Sequence, residues 1–217
     1  MELSCIYRHR FSPEDRQGKD AIWHVLCQYF FQKYLPDKAV VLDVGAGFCE
    51  FLRHIECQER IAVDLNEDVE QFAPQGTKIL HLPAHRLDVI PENTIDIVFA
   101  SNFFEHLPDK EIFMATLLEI RRVLRSGGKL LILQPNIRFL NGSYWDFVDH
   151  HLPLTDRTIV EALTMIDMRV REVIPRFLPY TTRSLLPQHP LLVRLYLMFP
   201  IVWRILGKQA WIVGVKP

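Results

Sequence analysis

Short apolar runs alternate with longer amphipathic stretches along the 217 residues, and that alternation predicts the elements. Residues 39–44 (AVVLDV), 60–64 (RIAVD), 94–100 (TIDIVFA) and 129–133 (KLLIL) are brief, β-rich and sparsely charged, as strands buried on both faces are. Residues 78–81 predict a weaker strand, and 168–174 and 210–215 predict the last two. Between these runs the period becomes helical. A first helix starts at Ser12-Pro13-Glu14-Asp15, where a capping hydroxyl, a first-turn proline and acids at the positive dipole end coincide. It is expected to run to about Tyr34 and stop before Pro36, with Ile22, Trp23, Leu26, Tyr29 and Phe30 as its core stripe. Further helices are expected over 48–57, 109–125 and 155–166. Ile112, Phe113, Leu117, Ile120 and Leu124 face the core in the second of these, which "SGG" ends; Thr155 or Asp156 caps the third. Strands alternating with helices imply an α/β fold with parallel pairing and helices on both faces. Ligands in such sheets sit beyond the carboxyl ends of the strands, so the first and fourth strands are expected to present the site.

Composition narrows the class. Hydrophobic content of 49% and charged content of 24% suit a single globular domain over 1–217. A net charge of −1 offers no basic footprint for duplex nucleic acid. Residues 1–11 hold no apolar run before a small-residue cleavage site, so no signal peptide is expected. No stretch is apolar and charge-free for long enough to span a bilayer. Cys5, Cys27, Cys49 and Cys57 follow neither zinc spacing nor a disulfide framework, and reduced thiols in a cytoplasm are the simpler reading.

The candidate chemistry begins at residues 41–51, VLDVGAGFCEF, a strand running into a glycine turn. Gly45 and Gly47, flanking Ala46, allow a tight turn and close backbone approach to a ligand. A dinucleotide fingerprint wants a third glycine at position 50, but Glu50 stands there, and Asp43 adds a second negative charge. Carboxylates at this helix end would repel a pyrophosphate. They suit a cation, such as the sulfonium and ammonium groups of S-adenosylmethionine. Asp64 ends the second strand, where an acid accepts from both ribose hydroxyls.

At this point the chain resembles a class I S-adenosylmethionine-dependent methyltransferase of the type 11 group, over nearly all of residues 35–135. "VLDVGAG" resembles the first motif, "AVDLN" the second-strand acid, "IDIVFASNFFEHLPD" the fourth-strand motif, and "EIRRVLRSGGKLLILQPN" the helix and fifth strand. The resemblance implies a Rossmann-like, doubly wound sheet of seven strands, mostly parallel with an antiparallel last strand. A helical cap is expected over 1–35, the cofactor-binding core over 36–135, and a substrate-side half over 136–217 with an apolar insertion at 176–208. The implied cofactor is S-adenosyl-L-methionine. Asp43, Gly45 and Gly47 would contact its methionine end and Asp64 its ribose. Leu65 and Phe48 would pack on the adenosine, with Ser101 and Asn102 on the floor. Two positions depart from the family pattern. Cys49 replaces a common glycine, and Ala84 stands where many members carry the acid that binds the adenine amino group, so Asp88 or a backbone carbonyl is expected to substitute.

The acceptor side is expected in "QPNIRFLNGSYWDFVDHHLPLT", where Asn136, Arg138, Tyr144 and Trp145 suit a polar, ring-shaped small molecule. His150 or His151, oriented by Asp146 or Asp149, is a candidate base, and His106 is another by resemblance. No metal is expected, because adjacent histidines point apart and no further ligand has the right spacing. Tyr7 and Arg10, within "YRHRF", are candidate substrate contacts in a lid. Residues 191–206 are nearly all apolar, with Arg194 and Arg204 among them. They predict a core helix, a homodimer face or a peripheral membrane contact through 190–206. The motif set "QPNIRFL…YWDFVDHHLPLT…PRFLPYTTRSLLPQHPLLVRLY" also resembles a bacterial methyltransferase subgroup associated with glycan or lipid-linked saccharide assembly. That resemblance implies methyl transfer to an oxygen of a saccharide or lipid-linked metabolite; the alternatives are nitrogen or carbon methylation of a small metabolite, or a catalytically silent scaffold.

Overall fold

The computed structural model describes residues 13–180 and 189–217. Seven strands form one sheet: β1 (Val40–Val44), β2 (Glu59–Val63), β3 (Lys78–Leu80), β4 (Ile95–Ser101), β5 (Leu124–Pro135), β6 (Arg169–Ile174) and β7 (Gln209–Val215). The spatial order is β3-β2-β1-β4-β5-β7-β6. Pairs β3-β2, β2-β1, β1-β4 and β4-β5 are parallel, and β7 runs antiparallel to both its neighbours. The helices are α1 (Pro13–Leu26), α2 (Glu50–His54), α3 (Lys110–Val123), α4 (Ile137–Leu140), α5 (Asp156–Met165), α6 (Pro190–Met198) and α7 (Pro200–Leu206). α1 widens into a π turn at Cys27–Phe31 and then tightens into a 3-10 turn at Gln32–Tyr34, so the first helical segment ends where Pro36 requires.

The period of two along each strand divides the core between the faces. Val98 and Ala100 of β4 pack with Leu117, Ile120, Ile159 and Leu163 from α3 and α5. Ile97 and Phe99 pack with Trp23, Phe31, Phe51 and Trp211 on the other face. There the Phe51 and Phe99 rings stack with centroids 3.7 Å apart. Tyr34 ties the first helical segment to the far sheet edge: its hydroxyl donates to Glu172 at 2.8 Å and accepts from Trp211 Nε1 at 3.1 Å.

Three segments differ from the sequence expectation. "SGG" does not separate helix from strand; β5 runs through it from Leu124, because Leu124 already pairs with Ile95. α2 is shorter than residues 48–57, since Cys49 is left-handed (φ 54°) and Ile55 is extended (φ −97°, ψ 151°). Residues 137–146 are not an open loop but α4 and a 3-10 turn at Asn141–Asp146. α6 and α7 bury one side, with Val193, Tyr196, Leu197 and Trp203 on the core, and break at Phe199 before Pro200. Their other side stays open, with Leu191, Met198, Ile201 and Ile205 all more than half exposed. No helix among the described residues is long and apolar enough to cross a membrane.

Candidate active site

The sheet order reverses between β1 and β4, and a cavity of about 480 Å³ opens at their carboxyl ends. Of the site residues expected from sequence, Asp43, Gly45, Ala46, Gly47, Asp64, Leu65, Ser101, Asn102, His106 and His150 line it. The chain enters the turn with Gly45 at φ 70°, its N–H donating to Val63 at 2.8 Å. A Cβ there would lie 2.4 Å from Phe103, so glycine is needed both for its dihedral and for space. Cys49, also left-handed, accepts the conformation that suits glycine; its side chain is fully buried instead of being absent.

The crest is anionic. Asp43 is 3% exposed, and burial, with Glu50 and Asp64 nearby, holds its carboxyl well above the ordinary carboxylate range. Burial also raises Asp64, against hydrogen bonds from backbone amides. Its Oδ2 accepts from Gly47 at 2.7 Å and its Oδ1 from Asn66 at 2.8 Å. Each oxygen keeps a second lone pair for a ribose hydroxyl. Glu50 is paired with Lys19 at 2.9 Å, a cation at the rim that sequence reasoning did not anticipate.

Beyond Asp64, Leu65 is 58% exposed at the cavity wall, a platform suited to an adenine face. Phe48 lies edge-on to Phe72 beside it. Pro83, Ala84 and His85 line this end, and Asp88 does not. Leu87 and Ile90 turn inward there, which leaves Asp88 exposed on the outside of the turn. Of the two substitutes expected for the missing acid, only the backbone around Ala84 is in place.

The opposite end collects Glu105, His106, Asp149, His150 and Gln209. Asp109 caps α3 by accepting from Ile112 at 2.7 Å, which sets the preceding turn at Phe104–His106. His151 and Leu152 donate their N–H groups to the Glu105 carbonyl at 2.8 and 3.1 Å, which pins the later loop to that turn. His106 Nδ1 faces the Asp149 carbonyl at 3.0 Å and its carboxylate at 3.3 Å. Glu105 was missed from sequence; its burial between Phe104 and Leu107 shows only in the fold.

Other expected site residues lie elsewhere. His151 is exposed and lines no part of the cavity, so of the histidine pair only His150 faces the site. Asn136 is buried against Asp156 (2.8 Å) and the Pro175 carbonyl (3.0 Å), and Arg138 pairs with Asp156 at 2.7 Å. Tyr144 is fully buried with its hydroxyl on the Leu152 carbonyl, and Trp145 is 53% exposed outside the cavity. The loop's polar groups therefore satisfy one another and hold the loop's shape. Tyr7 and Arg10 lie outside the described residues.

Residues 42–132 match the type 11 methyltransferase domain. Methyltransferases of known structure share the fold along the whole chain. One from Haloferax volcanii, solved with the Trm112 methyltransferase activator, has a TM-score of 0.70 at 17% identity, covering 94% of this chain and 93% of its own. A SAM-dependent methyltransferase from Archaeoglobus fulgidus has a TM-score of 0.67 at 22% identity, covering 99% and 100%. A probable methyltransferase of Aspergillus luteorubrus is 26% identical over 118 residues, 46% of this chain and 41% of its own. The chain spans about half the length of the curated relatives it matches. The family match over residues 42–132 implies S-adenosyl-L-methionine as the cofactor, and SAM-dependent methyltransferases of known structure share the fold. The site fits that molecule: a glycine cradle closed to any Cβ, carboxylates for its cationic end, Asp64 for its ribose and an apolar wall for its base.

Proposed function

We propose that this protein is an S-adenosylmethionine-dependent methyltransferase that moves a methyl group to an oxygen of a small molecule. The observation that carries the reading is the anionic crest, Asp43, Glu50 and Asp64 around one glycine turn. When bound, S-adenosyl-L-methionine supplies a methyl group already activated on a sulfonium centre. Asp43 and Glu50 hold the cationic amino-acid end, and Asp64 accepts from the ribose. Leu65 and Phe48 flank the base and exclude water from it. His106 and His150 face the acceptor, and either imidazole can take the proton its hydroxyl gives up as the carbon–oxygen bond forms, while Glu105 and the cavity walls hold that oxygen in line.

Calorimetry of the full chain with S-adenosylmethionine and S-adenosylhomocysteine tests the cofactor reading. Binding of both, lost in Asp64→Ala, is expected; no heat with either, or tight binding of NADH instead, would sink it. Mass spectrometry of methylated products separates oxygen from nitrogen or carbon acceptors. Cofactor binding with no methylated product from any acceptor class would mark a silent scaffold.

The acceptor class we favour is a saccharide or lipid-linked metabolite reached at a membrane surface. Its support is the exposed apolar side of α6 and α7 beside a second groove of about 590 Å³. Arg138, Arg157, Arg176 and Arg204 line that groove, in keeping with anionic headgroups. Such a protein would act at the cytoplasmic face. A second copy of the chain covering the same side is the alternative, which sedimentation in solution decides.

A further inference from the structure

We propose that Glu105, His106 and His150 bind a divalent metal ion at the acceptor end of the cavity. Each offers one ligand atom, and these atoms lie within 4.8 Å of one another. The reading that adjacent histidines exclude a metal considered only neighbours along the chain; the fold sets His150 against His106 instead, with ring centroids 5.1 Å apart.

Glu105 points to a cation most directly. Its side chain is fully buried, and Oε2 accepts from Gln134 Nε2 at 2.9 Å. Oε1 has no hydrogen-bond partner among the described residues. A buried carboxylate oxygen without a donor is costly, and a cation removes the cost. His106 Nε2 is 4.0 Å from that oxygen, too far for a hydrogen bond but suited to sharing an ion.

The histidines are held as metal ligands are held. The oxygens that face His106 Nδ1 accept, so Nδ1 donates to them and Nε2 is the ring nitrogen offered to an ion. His150 Nδ1 lies 2.8 Å from the Tyr144 carbonyl and is held in the same way. Carbonyl and carboxylate partners of this kind orient metal-binding imidazoles. Around a tetrahedral ion, ligand bonds of about 2.1 Å set donors about 3.4 Å apart, so atoms now within 4.8 Å of one another close by at most ~1.4 Å to complete the set. Two imidazoles and one carboxylate select zinc or another first-row divalent ion over magnesium or calcium. Three protein ligands leave positions open toward the cavity. A hydroxyl bound there gives up its proton to water more readily. That last role rests on the methyl-transfer reading; the ion site does not.

The test is titration of the chelator-treated full chain with Co²⁺, followed by visible absorption and by displacement with Zn²⁺. One ion per chain is expected. Glu105→Gln and His106→Gln should each weaken it at least ~10-fold, with S-adenosylmethionine affinity unchanged. No absorption or heat with either ion at millimolar concentration would overturn the proposal. So would wild-type affinity in Glu105→Gln, His106→Gln and His150→Gln alike. S-adenosylmethionine binding without any cobalt spectrum would sink the ion site and leave the methyl-transfer reading standing.

Discussion

Replacing Gly45 by alanine tests the glycine cradle and its strain together. The new Cβ would meet Phe103 Cδ2 at 2.4 Å, Cγ at 2.9 Å and Cβ at 3.1 Å, well inside van der Waals contact. The backbone at φ 70° adds a conformational cost. A left-handed alanine costs ~1–2 kcal/mol and overpacking ~1–3 kcal/mol, for a sum of about 2–5 kcal/mol. A chain of this size loses about 2–4 °C per kcal/mol, so the melting temperature should fall by at least ~4 °C. Circular dichroism on the ligand-free protein measures it, and calorimetry should show weakened S-adenosylmethionine binding, because Phe103 must move into the cavity it lines. Gly45→Ala with Phe103→Ala removes the steric share and keeps the dihedral share, so the substitutions should be non-additive. An unchanged melting temperature in the single variant, or strict additivity in the pair, would refute the reasoning.

Asp43→Asn should separate stability from binding. The folded carboxyl is raised above the unfolded value of about 3.9, so the native state holds a proton that the unfolded chain has released. The contribution of Asp43 to ligand-free stability is therefore greatest in acid and falls as pH rises through the window between those values. At neutral pH the asparagine variant should melt higher than wild type and bind S-adenosylmethionine far more weakly; a lower melting temperature would contradict this. Tyr144→Phe removes the bond to the Leu152 carbonyl and should cost about 1–3 kcal/mol in denaturant unfolding, with cofactor affinity retained. Ile201→Glu with Ile205→Glu alters side chains that are 71% and 67% exposed and should leave the melting temperature unchanged. The pair should abolish co-flotation with anionic vesicles. Wild-type protein that never floats would end the membrane reading.

The cofactor half was legible because its signals are local. β1, its glycines, Asp43 and Asp64 lie within 25 residues, and hydrophobic alternation placed each strand to within a residue or two except β5. The acceptor half was not, because its contacts are long-range. Asn136 and Arg138 read as ligand contacts until Asp156, 20 and 18 positions away, is seen to bind them both. Glu105 carried no pattern of its own, since its importance comes from Gln134 and His150, which the fold brings to it. Asp88 failed for another reason. A turn's outward residue is decided by its buried neighbours, here Leu87 and Ile90.

The place of β7 bears on how the chain reaches this shape. β6 has no sheet neighbour except β7, and residues 175–208 intervene before β7 begins. During synthesis β6 must therefore wait with a bare edge, and β5 with it, until Gln209–Val215 slots between them. A ribosome stalled anywhere in that interval would hold a nascent chain with one edge of β5 and both edges of β6 unpaired, a form open to chaperones and to sticking to itself.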